Sequence, residues 1–330
     1  MPTRRRPEGV TRLFSPTVAL LLREADVEAL ADLDAIISAV AAATRDLGRG
    51  EAQNQPRRRV FPPGGVLNVM FASWPGGRVT GLKAYTIGGG QVRFLVTLFD
   101  LDGAPIAMIE ANRLGALRTG AATAVAARAL AGRGPKIVAV IGTGWQAKTQ
   151  VAALRACLEV SELRVYGRDE GRRARFAQTV GGRAAGSAEE CVRGADVVVT
   201  ITTSAVPVLQ AAWVKPEALV VGAGCNIPSR SELPADLVTN CRAVVVDQRE
   251  TAELESGDLL SAGYDFAGCV ELGAVLAGTV ELPASGGPLL FESHGLALWD
   301  LAAATTLLKS ARTAGRGEEV GLFRSAGERR

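Results

Sequence analysis

The sequence predicts an α/β protein in which a doubly wound parallel sheet follows a smaller α+β domain. Its 330 residues are enough for about two domains. After residue 114, short runs rich in Val and Ile alternate with helical stretches, which is typical of parallel strands buried on both faces. Before that point, strand-like segments follow one another without intervening helices, which favours an antiparallel sheet.

The composition fits a folded protein that handles small molecules. Hydrophobic residues make up 48% of the chain and charged residues 22%, which excludes disordered, collagen-like and disulfide-stapled classes. The net charge is only +3, and the basic residues are scattered except in the arginine triplets 4–6 and 57–59. No aromatic stacking platform accompanies these triplets, so they do not indicate a nucleic-acid partner. We interpret the triplet 4–6 as a solvated tail.

Cysteine and histidine usage argues against a metal site and for a reducing compartment. The chain has five dispersed cysteines and one histidine, with no Cys-x-x-Cys pair. No signal peptide is visible, and the apolar run 18–22 is far shorter than the ~20 residues that a membrane span needs. We therefore expect a cytoplasmic protein without a metal ion or a membrane partner.

The N-terminal part is predicted to contain one amphipathic helix followed by four strands. Apolar residues at helical spacing favour a helix over 24–47. An Asp-Gly pair at 102–103 indicates a hairpin. The strand-like segments are 66–72, 81–85, 94–99 and 105–110.

The C-terminal part begins with an Ala-rich helix over 117–130, after which strands and helices alternate. A further helix is predicted over 295–308, and the polar residues 315–330 are expected to be loosely ordered. The predicted strands are 137–141, 163–166, 197–201, 219–221 and 243–246, and the helices among them include 146–158, 171–180 and 188–193.

A glycine-rich turn between the first of these strands and its helix predicts a dinucleotide site. Gly142 permits the tight turn, Gly144 lets the backbone approach a pyrophosphate, and Ala147 takes the third position of the fingerprint. The helix N-terminus then offers unpaired N–H groups to the phosphates. The context of strand, turn and helix indicates a Rossmann-type domain, and Thr143, Trp145 and Gln146 are the turn's other candidate cofactor contacts.

The end of the second strand bears on cofactor choice. Arg168 lies 26 residues after Gly142, where a 2′-phosphate would sit, and guanidinium pairs well with phosphate. This favours NADP(H), with NAD(H) possible. The alternative is that Asp169 binds the ribose and Arg168 is a solvated surface residue.

Small and hydroxyl-bearing residues follow two later strands, where ligands of such sheets bind. Each hydroxyl is equally explained as part of a structural turn. The candidates are Thr200, Thr202, Thr203 and Ser204 after one strand, and Val221, Gly222 and Ala223 after the next, where they should lie near the nicotinamide.

Eight short motifs, in this order and spacing, make the chain resemble the ornithine cyclodeaminase/mu-crystallin family over most of its length. They are Gln-Pro-Arg-Arg at 55–58, Gly-Leu-Lys at 81–83, Asp-Gly-Ala-Pro-Ile-Ala at 102–107, Leu-Arg-Thr-Gly-Ala-Ala at 117–122, Gly-Thr-Gly-Trp-Gln-Ala at 142–147, Trp-Val-Lys-Pro at 213–216, Ser-Gly-Asp at 256–258 and Ser-His-Gly-Leu-Ala-Leu-Trp-Asp at 293–300.

The resemblance implies a domain division and an assembly. Residues 1–115 together with 304–330 would form a substrate-binding and dimerisation domain, and 116–303 the Rossmann domain. The protein is then expected to be a homodimer. Its activity would be oxidation or reduction of amino or imino acids with NAD(H) or NADP(H), as a ketimine reductase or an amino acid dehydrogenase.

The resemblance also implies the site residues. Arg58, Lys83 and Arg118 match the family's substrate-facing cations, with Arg58 and Arg118 on a carboxylate and Lys83 supplying or polarising the proton. Arg57 and Arg59 are interpreted as a solvated basic face. Arg118, Thr119 and Ser293 are expected at the cofactor and Asn226 at the substrate.

Two positions depart from the cyclodeaminases of the family. Those enzymes carry an acid eleven residues after the substrate arginine, where this chain has Val69, and an Asp where it has Asn226. Valine and an amide cannot act as bases, which favours imine reduction. A cyclodeaminase-type lyase with bound NAD and a crystallin-like binding protein remain alternatives. His294 is expected to be a packing or cofactor contact more than a proton donor.

Overall fold

Two separate β-sheets organise the chain, and the computed structural model describes residues 17–323 of it. The first sheet is antiparallel except where β1 and β6 pair in parallel, and its strand order is β15-β1-β6-β5-β4-β3-β2. Its members are β1 (Thr17–Leu22), β2 (Gln53–Val60), β3 (Gly65–Trp74), β4 (Val79–Gly88), β5 (Gln91–Phe99), β6 (Pro105–Glu110) and β15 (Glu318–Leu322).

The second sheet has eight strands, all paired in parallel, in the order β13-β12-β14-β11-β10-β7-β8-β9. The chain runs from β7 to β8 on one side and returns to β10 on the other, so the topological switch point lies between β7 and β10. The strands are β7 (Lys136–Ile141), β8 (Val160–Tyr166), β9 (Arg183–Ala184), β10 (Val197–Thr200), β11 (Leu219–Gly222), β12 (Ala243–Val246), β13 (Val270–Glu271) and β14 (Leu289–Glu292). This confirms the predicted doubly wound, Rossmann-type architecture.

The helices fill the space between and around the sheets. Helix α11 packs against the first sheet and against α2 and α3, where the buried Trp299 indole donates a hydrogen bond to Thr44 Oγ1 at 2.8 Å. The helices are α1 (Glu24–Leu30), α2 (Leu33–Gly48), α3 (Asn112–Leu130), α4 (Trp145–Cys157), α5 (Glu170–Val180), α6 (Ala188–Val192), α7 (Ala235–Thr239), α8 (Arg249–Glu255), α9 (Gly257–Ser261), α10 (Leu272–Ala277) and α11 (Ala297–Ala314).

Two predicted elements differ from the structure. The single helix expected over 24–47 is wrong, because α1 ends at Leu30 and Asp32 then caps α2 by accepting a hydrogen bond from the Ala35 N–H at 3.0 Å. The expectation of a loosely ordered tail is wrong for 318–322, which pair with β1 as an edge strand. The arginine triplet 4–6 lies outside the described residues.

Two long helices connect the sheets. The predicted domain boundaries at 115/116 and 303/304 fall inside α3 and α11, respectively. Strand β15 returns the end of the described chain to the first sheet. In residues 17–323, no helix has both the length and the apolar character of a membrane span, and no group of three or more His, Cys, Asp or Glu side chains is arranged to hold a metal ion.

Candidate active site

The turn between β7 and α4 has the shape that a dinucleotide requires. Gly142 has φ +130°, and a Cβ there would lie 2.3 Å from the Ile201 carbonyl oxygen, so no larger residue fits. At Gly144, by contrast, a Cβ would meet nothing within 4 Å, and this residue starts α4 without a side-chain cap. The helix N-terminus is therefore open to a phosphate.

Most of the predicted cofactor residues lie along one edge of the second sheet, whereas Arg118 and Thr119 lie in α3, where Thr119 Oγ1 donates to the Gly115 carbonyl at 2.7 Å. The residues at the sheet edge follow the carboxyl ends of parallel strands, where ligands of this fold bind. After β7 come Gly142, Thr143, Gly144, Trp145 and Gln146; after β8, Arg168; at the end of β10 and beyond it, Thr200, Thr202, Thr203 and Ser204; at the end of β11 and beyond it, Val221, Gly222 and Ala223; and after β14, Ser293.

Arg168 is exposed just beyond β8. Its neighbour Asp169 caps α5 by accepting a hydrogen bond from the Arg172 N–H at 2.6 Å. The Arg173 guanidinium carbon lies 5.3 Å from the Tyr166 ring centroid, and its Nη1 donates to the Gly167 carbonyl at 3.0 Å. The end of β8 is therefore bordered by positive charge.

Lys83 and Arg118 meet on one buried carboxylate, that of Asp300. Lys83 Nζ donates to Asp300 Oδ1 at 2.8 Å, and Arg118 Nε donates to the same oxygen at 3.2 Å. Strand β4, helix α3 and helix α11 each supply one of the three. Gly295, with φ +88°, leaves room for the arginine, because a Cβ there would lie 2.6 Å from Arg118 Nη1.

The environment of Lys83 lowers the pKa of its ammonium group. Burial lowers this pKa to about 8, with Asp300 opposing the shift and Arg118 adding to it. The Phe94 ring centroid lies 4.9 Å from Lys83 Nζ. An ammonium group with this pKa is mostly protonated at neutral pH and gives up its proton more readily than an exposed lysine.

Strand register separates Arg58 from Lys83. Residues opposite each other in an antiparallel pair share a face, and successive residues alternate. Arg58 pairs with Val69 and Val69 with Ala84, whereas Lys83 pairs with Met70 on the other face. Arg58 thus points to the outer side of the sheet, where its side chain is 62% exposed and lies 4.0 Å from Glu250.

A β-bulge brings Arg57 to the inner side instead. Between Gln55 and Arg58 the register shifts by one residue, and both Pro56 and Arg57 are buried. The Arg57 guanidinium carbon lies 5.8 Å from the Tyr85 ring centroid, and Lys83 Nζ lies 6.0 Å from the same point. The interpretation of Arg57 as part of a solvated face is therefore wrong.

Arg57 and Arg59, the first and third arginines of the triplet 57–59, both bind Glu255. This glutamate is fully buried at the end of α8. Arg57 pairs with Glu255 Oε2 through Nη1, and its Nη2 donates to the His294 carbonyl at 3.3 Å. Arg59 is only partly exposed, and its Nη2 donates to Glu255 Oε1 at 3.0 Å, so the interpretation of Arg59 as part of a solvated face is wrong as well. The Nε of Arg57 is buried and has no hydrogen-bond partner.

The same bulge changes which residue stands where the cyclodeaminases have an acid. Counted from Arg57, the interval of eleven leads to Asn68. Val69 lies on the outer face, while the buried Asn68 pairs with Tyr85 on the inner face. Arg59 Nε donates to Asn68 Oδ1 at 3.2 Å, and Asn68 Nδ2 is buried without a hydrogen-bond partner. The inner position is thus an amide.

Asn226 and His294 lie near this cluster. The Asn226 carbonyl accepts a hydrogen bond from Arg59 Nη2 at 3.3 Å. The His294 ring is buried between Asp247 and Glu292, with each nitrogen 3.5 Å from a carboxylate oxygen. Burial lowers the pKa of His294, but the two carboxylates outweigh it and raise this pKa to about 10.

Sequence reasoning missed Asp300, Glu255 and the inward position of Arg57. Asp300 is the last residue of the motif at 293–300. Only the packing of α11 shows that Asp300 accepts hydrogen bonds from both Lys83 and Arg118. The position of Arg57 depends on a bulge, for which Pro56 is the one local signal.

The doubly wound parallel sheet and the glycine turn after β7 define the class as a Rossmann-type, dinucleotide-binding protein. The ornithine cyclodeaminase/mu-crystallin family model matches residues 17–315, and the chain belongs to this family.

Curated relatives are identical to this chain at about a third of the aligned positions. The chain is 34% identical over 307 residues to Delta(1)-pyrroline-2-carboxylate reductase 2 of Burkholderia ambifaria, covering 86% of this chain and 93% of the relative. It is 34% identical over 218 residues to the mouse ketimine reductase mu-crystallin, covering 65% of this chain and 68% of the relative.

Among solved structures, Delta(1)-pyrroline-2-carboxylate reductase of Thermococcus litoralis in complex with NADH and L-proline superposes with a TM-score of 0.85. It is 27% identical, and the match covers 91% of this chain and all of that one. An archaeal alanine dehydrogenase dimer with bound NAD gives a TM-score of 0.86 at 29% identity, with coverages of 93% and 100%.

Proposed function

We propose that the protein is an NAD(P)H-dependent oxidoreductase that reduces the C=N bond of imino acids or, in reverse, oxidises amino acids. The observation that carries this proposal is the convergence of Lys83 and Arg118 on Asp300, with Arg118 lying against Gly295 just beyond the end of β14. The reductases and dehydrogenases among the relatives support it.

The buried charges favour a substrate with a carboxylate. Lys83 and Arg118 share Asp300, and Arg57 and Arg59 share Glu255, so four cations face two carboxylates. This excess of positive charge would be satisfied by an anion, and arginine donors suit a carboxylate. The unpartnered Nε of Arg57 is one such donor.

The nicotinamide cofactor would supply the hydride, and the glycine turn, with its open helix N-terminus, fits the cofactor's diphosphate. The chain's own contribution is orientation and a proton. Arg57 and Arg118 would hold the carboxylate, and the Lys83 ammonium would donate its proton to the imine nitrogen. Asp300 would keep Lys83 in place and protonated.

Reduction is favoured over cyclodeamination because amides stand where bases are needed. Asn68 on the inner face and Asn226 near Arg59 cannot take protons from amines. The cyclodeaminase-type lyase is therefore the second candidate. A crystallin-like binding role without catalysis is disfavoured because it would not require Lys83 and Arg118 to converge on Asp300.

NADP(H) is the proposed preferred cofactor, with NAD(H) as the alternative. Arg168 is exposed beyond β8, and Asp169 is engaged as a helix cap. Replacing Arg168 with Asp should therefore reverse the preference, which titration of both reduced cofactors into both proteins would measure. Equal affinities of the unmodified protein for the two cofactors would contradict this part of the proposal.

We also propose a homodimer that operates in the cytoplasm. The outer face of the first sheet carries apolar side chains on neighbouring strands, and Phe71 and Leu95 are 47% and 39% exposed there. Such a face suits contact with a second copy. All five cysteines are free, which suits a reducing compartment.

The experiment is a substrate panel with NADPH oxidation as the signal. Cyclic imino acids, and 2-oxo acids mixed with amines, should consume NADPH in the presence of the protein. The Lys83→Met variant should bind NADPH normally and turn over at least about a hundredfold more slowly. Absence of turnover with the whole panel would contradict the proposal.

A further inference from the structure

One buried carboxylate, that of Glu232, joins the two loops that follow β10 and β11. Its Oε1 accepts hydrogen bonds from the Thr202 N–H at 2.7 Å and from Thr202 Oγ1 at 2.5 Å. Its Oε2 accepts from the Gly224 N–H at 2.9 Å and from Thr200 Oγ1 at 3.4 Å. Glu232 has no exposed surface.

These contacts extend to the glycine turn of the cofactor site. Ile201 stands between the two threonines bound by Glu232, and its carbonyl oxygen lies 2.3 Å from where a Cβ of Gly142 would be. On the other side, Thr202 Oγ1 accepts a hydrogen bond from the Ser204 N–H at 3.0 Å. Glu232 therefore fixes the backbone that forms one wall of the β7–β10 crevice.

Gly224 shows how closely the two loops approach each other. A Cβ at this residue would lie 2.3 Å from Glu232 Oε2 and 2.5 Å from the Thr202 nitrogen. The loop after β11 is thus pressed against the loop after β10, and the carboxylate fills the space between their N–H groups.

We propose that Glu232 is a positioning residue for the cofactor: its carboxylate locks the loops after β10 and β11 into the shape that binds the nicotinamide half. This inference rests on the proposed dependence on a nicotinamide cofactor. It assigns a task to an acid that touches neither the proposed substrate cations nor the glycine turn directly.

The pKa of Glu232 is raised toward neutrality. Burial raises the pKa of Glu232 to about 7, the hydrogen bonds from Thr202 and Gly224 oppose this, and nearby Asp258 adds to it. The Asp258 carboxylate accepts hydrogen bonds from the N–H groups of Glu232 and Leu233 and from Ser231 Oγ. No basic side chain pairs with Glu232 among the described residues.

The sign of the pH effect follows from the bonds. In each of the four hydrogen bonds, Glu232 is the acceptor. The ionised carboxylate can accept all four, whereas a protonated carboxyl group would carry a proton on one of the accepting oxygens. Cofactor affinity is therefore expected to be full above pH 7 and to fall as the pH drops through about 7.

The experiment measures NADPH binding to the full chain by fluorescence between pH 6 and 8 (roughly one unit either side of neutrality). Glu232→Gln places an amide NH2 opposite a backbone N–H and should raise the Kd at pH 8 by about ten- to a hundredfold. It should also remove the part of the pH dependence that Glu232 causes. The 2′-phosphate titrates similarly in both proteins, so the difference between their profiles isolates Glu232.

Two further variants complete the test. Glu232→Asp keeps the charge but shortens its reach, so we expect an intermediate Kd and a retained pH dependence; this variant carries the test if the glutamine variant does not fold. Glu217→Gln removes an exposed acid of the same domain and should match the unmodified protein.

The outcomes separate this inference from the proposed function. If the unmodified protein binds neither NADPH nor NADH, the proposed function fails. If it binds NADPH and Glu232→Gln binds equally well with the same pH profile, the positioning role of Glu232 is overturned. A lower melting temperature with unchanged Kd would also overturn it, because Glu232 would then serve stability alone.

Discussion

At the scale of single residues, the direction of one arginine decides how the site is built. Arg57 and Arg58 are neighbours in the same strand, yet the bulge in β2 sends Arg57 to the buried inner face and leaves Arg58 outside. This arrangement provides a matched pair of variants, because the two residues have the same chemistry and differ in the face they occupy.

We expect Arg57→Ala to raise the KM for the imino acid by about ten- to a hundredfold, because it removes a charged hydrogen-bond donor to the carboxylate. Arg58→Ala should leave KM nearly unchanged. Cofactor affinity should be intact in both variants, and steady-state kinetics would measure these effects. A large effect confined to Arg58→Ala would restore the role first predicted for Arg58.

Asp300 should control the pH range in which Lys83 can donate a proton. Imine reduction needs the ammonium form, so the rate should fall as the pH rises through about 8, and oxidation of the amino acid should rise there. Asp300 raises the pKa of Lys83. Asp300→Asn should therefore move the alkaline limb of kcat/KM to lower pH by about 1–3 units.

The pH profile of kcat/KM for imine reduction measures this shift. Asp102→Asn, in the exposed turn before β6, serves as the control and should keep the original profile. An alkaline limb that stays in place in Asp300→Asn would show that Lys83 is not the titrating group.

At the scale of elements, the turn between β7 and α4 was predictable in detail because its requirements are local. The fingerprint requires glycine at both 142 and 144, but in the structure the two glycines are needed for different reasons. Gly142 has a positive φ and touches Ile201, whereas Gly144 faces open space. Gly142 is needed for the conformation of the turn itself, whereas Gly144 would be needed to leave space for the bound cofactor.

Gly142→Ala should destabilise the protein by about 1–3 kcal/mol and lower its melting temperature, because its backbone is strained for an alanine. Gly144→Ala should keep the melting temperature and instead weaken cofactor binding by at least about tenfold, because its methyl group occupies the space of the diphosphate. Thermal unfolding and cofactor titration measure the two effects. Unchanged affinity in Gly144→Ala would mean that the diphosphate binds elsewhere.

The alternation of strands and helices after residue 114 was also predictable, since buried parallel strands produce continuous Val and Ile runs. The break between α1 and α2 was not, because Asp32 interrupts an apolar pattern that continues through it. Nor was β15, whose polar residues form an edge strand only because β1 is there to pair with. Non-local pairing and the bulge at Pro56 are features that periodicity cannot reveal.

At the scale of the whole molecule, the first sheet has one face covered by helices and one face with exposed apolar side chains. Phe71 lies opposite Leu82 on this outer face, which no other element of residues 17–323 buries completely. A second copy of the chain would remove these side chains from water.

Phe71→Arg should therefore weaken self-association by at least about tenfold, because a dimer would bury its charge in an apolar contact. Val206→Arg changes a still more exposed apolar residue, beyond the end of β10 in the second sheet, and should leave the assembly unchanged. Analytical ultracentrifugation of both variants and the unmodified protein would test this. A monomeric unmodified protein would contradict the dimer.

The charged side chains of the site come from elements that are far apart in the sequence and meet only in the folded molecule. Strands β2 and β4 bring Arg57 and Lys83, helix α3 brings Arg118, helix α8 brings Glu255, and α11 brings Asp300. The site therefore depends on how the two sheets are joined through α3 and α11.

The most direct test of the central claim compares two substrates under two conditions. A preformed cyclic imino acid, such as a pyrroline or piperideine carboxylate, is supplied with NADPH, and ornithine is supplied with a catalytic amount of NAD. The account predicts that the imino acid consumes NADPH stoichiometrically and that ornithine releases little ammonia, since Asn68 and Asn226 provide no base. Rapid formation of proline and ammonia from ornithine, without NADPH-dependent reduction of the cyclic imine, would contradict it.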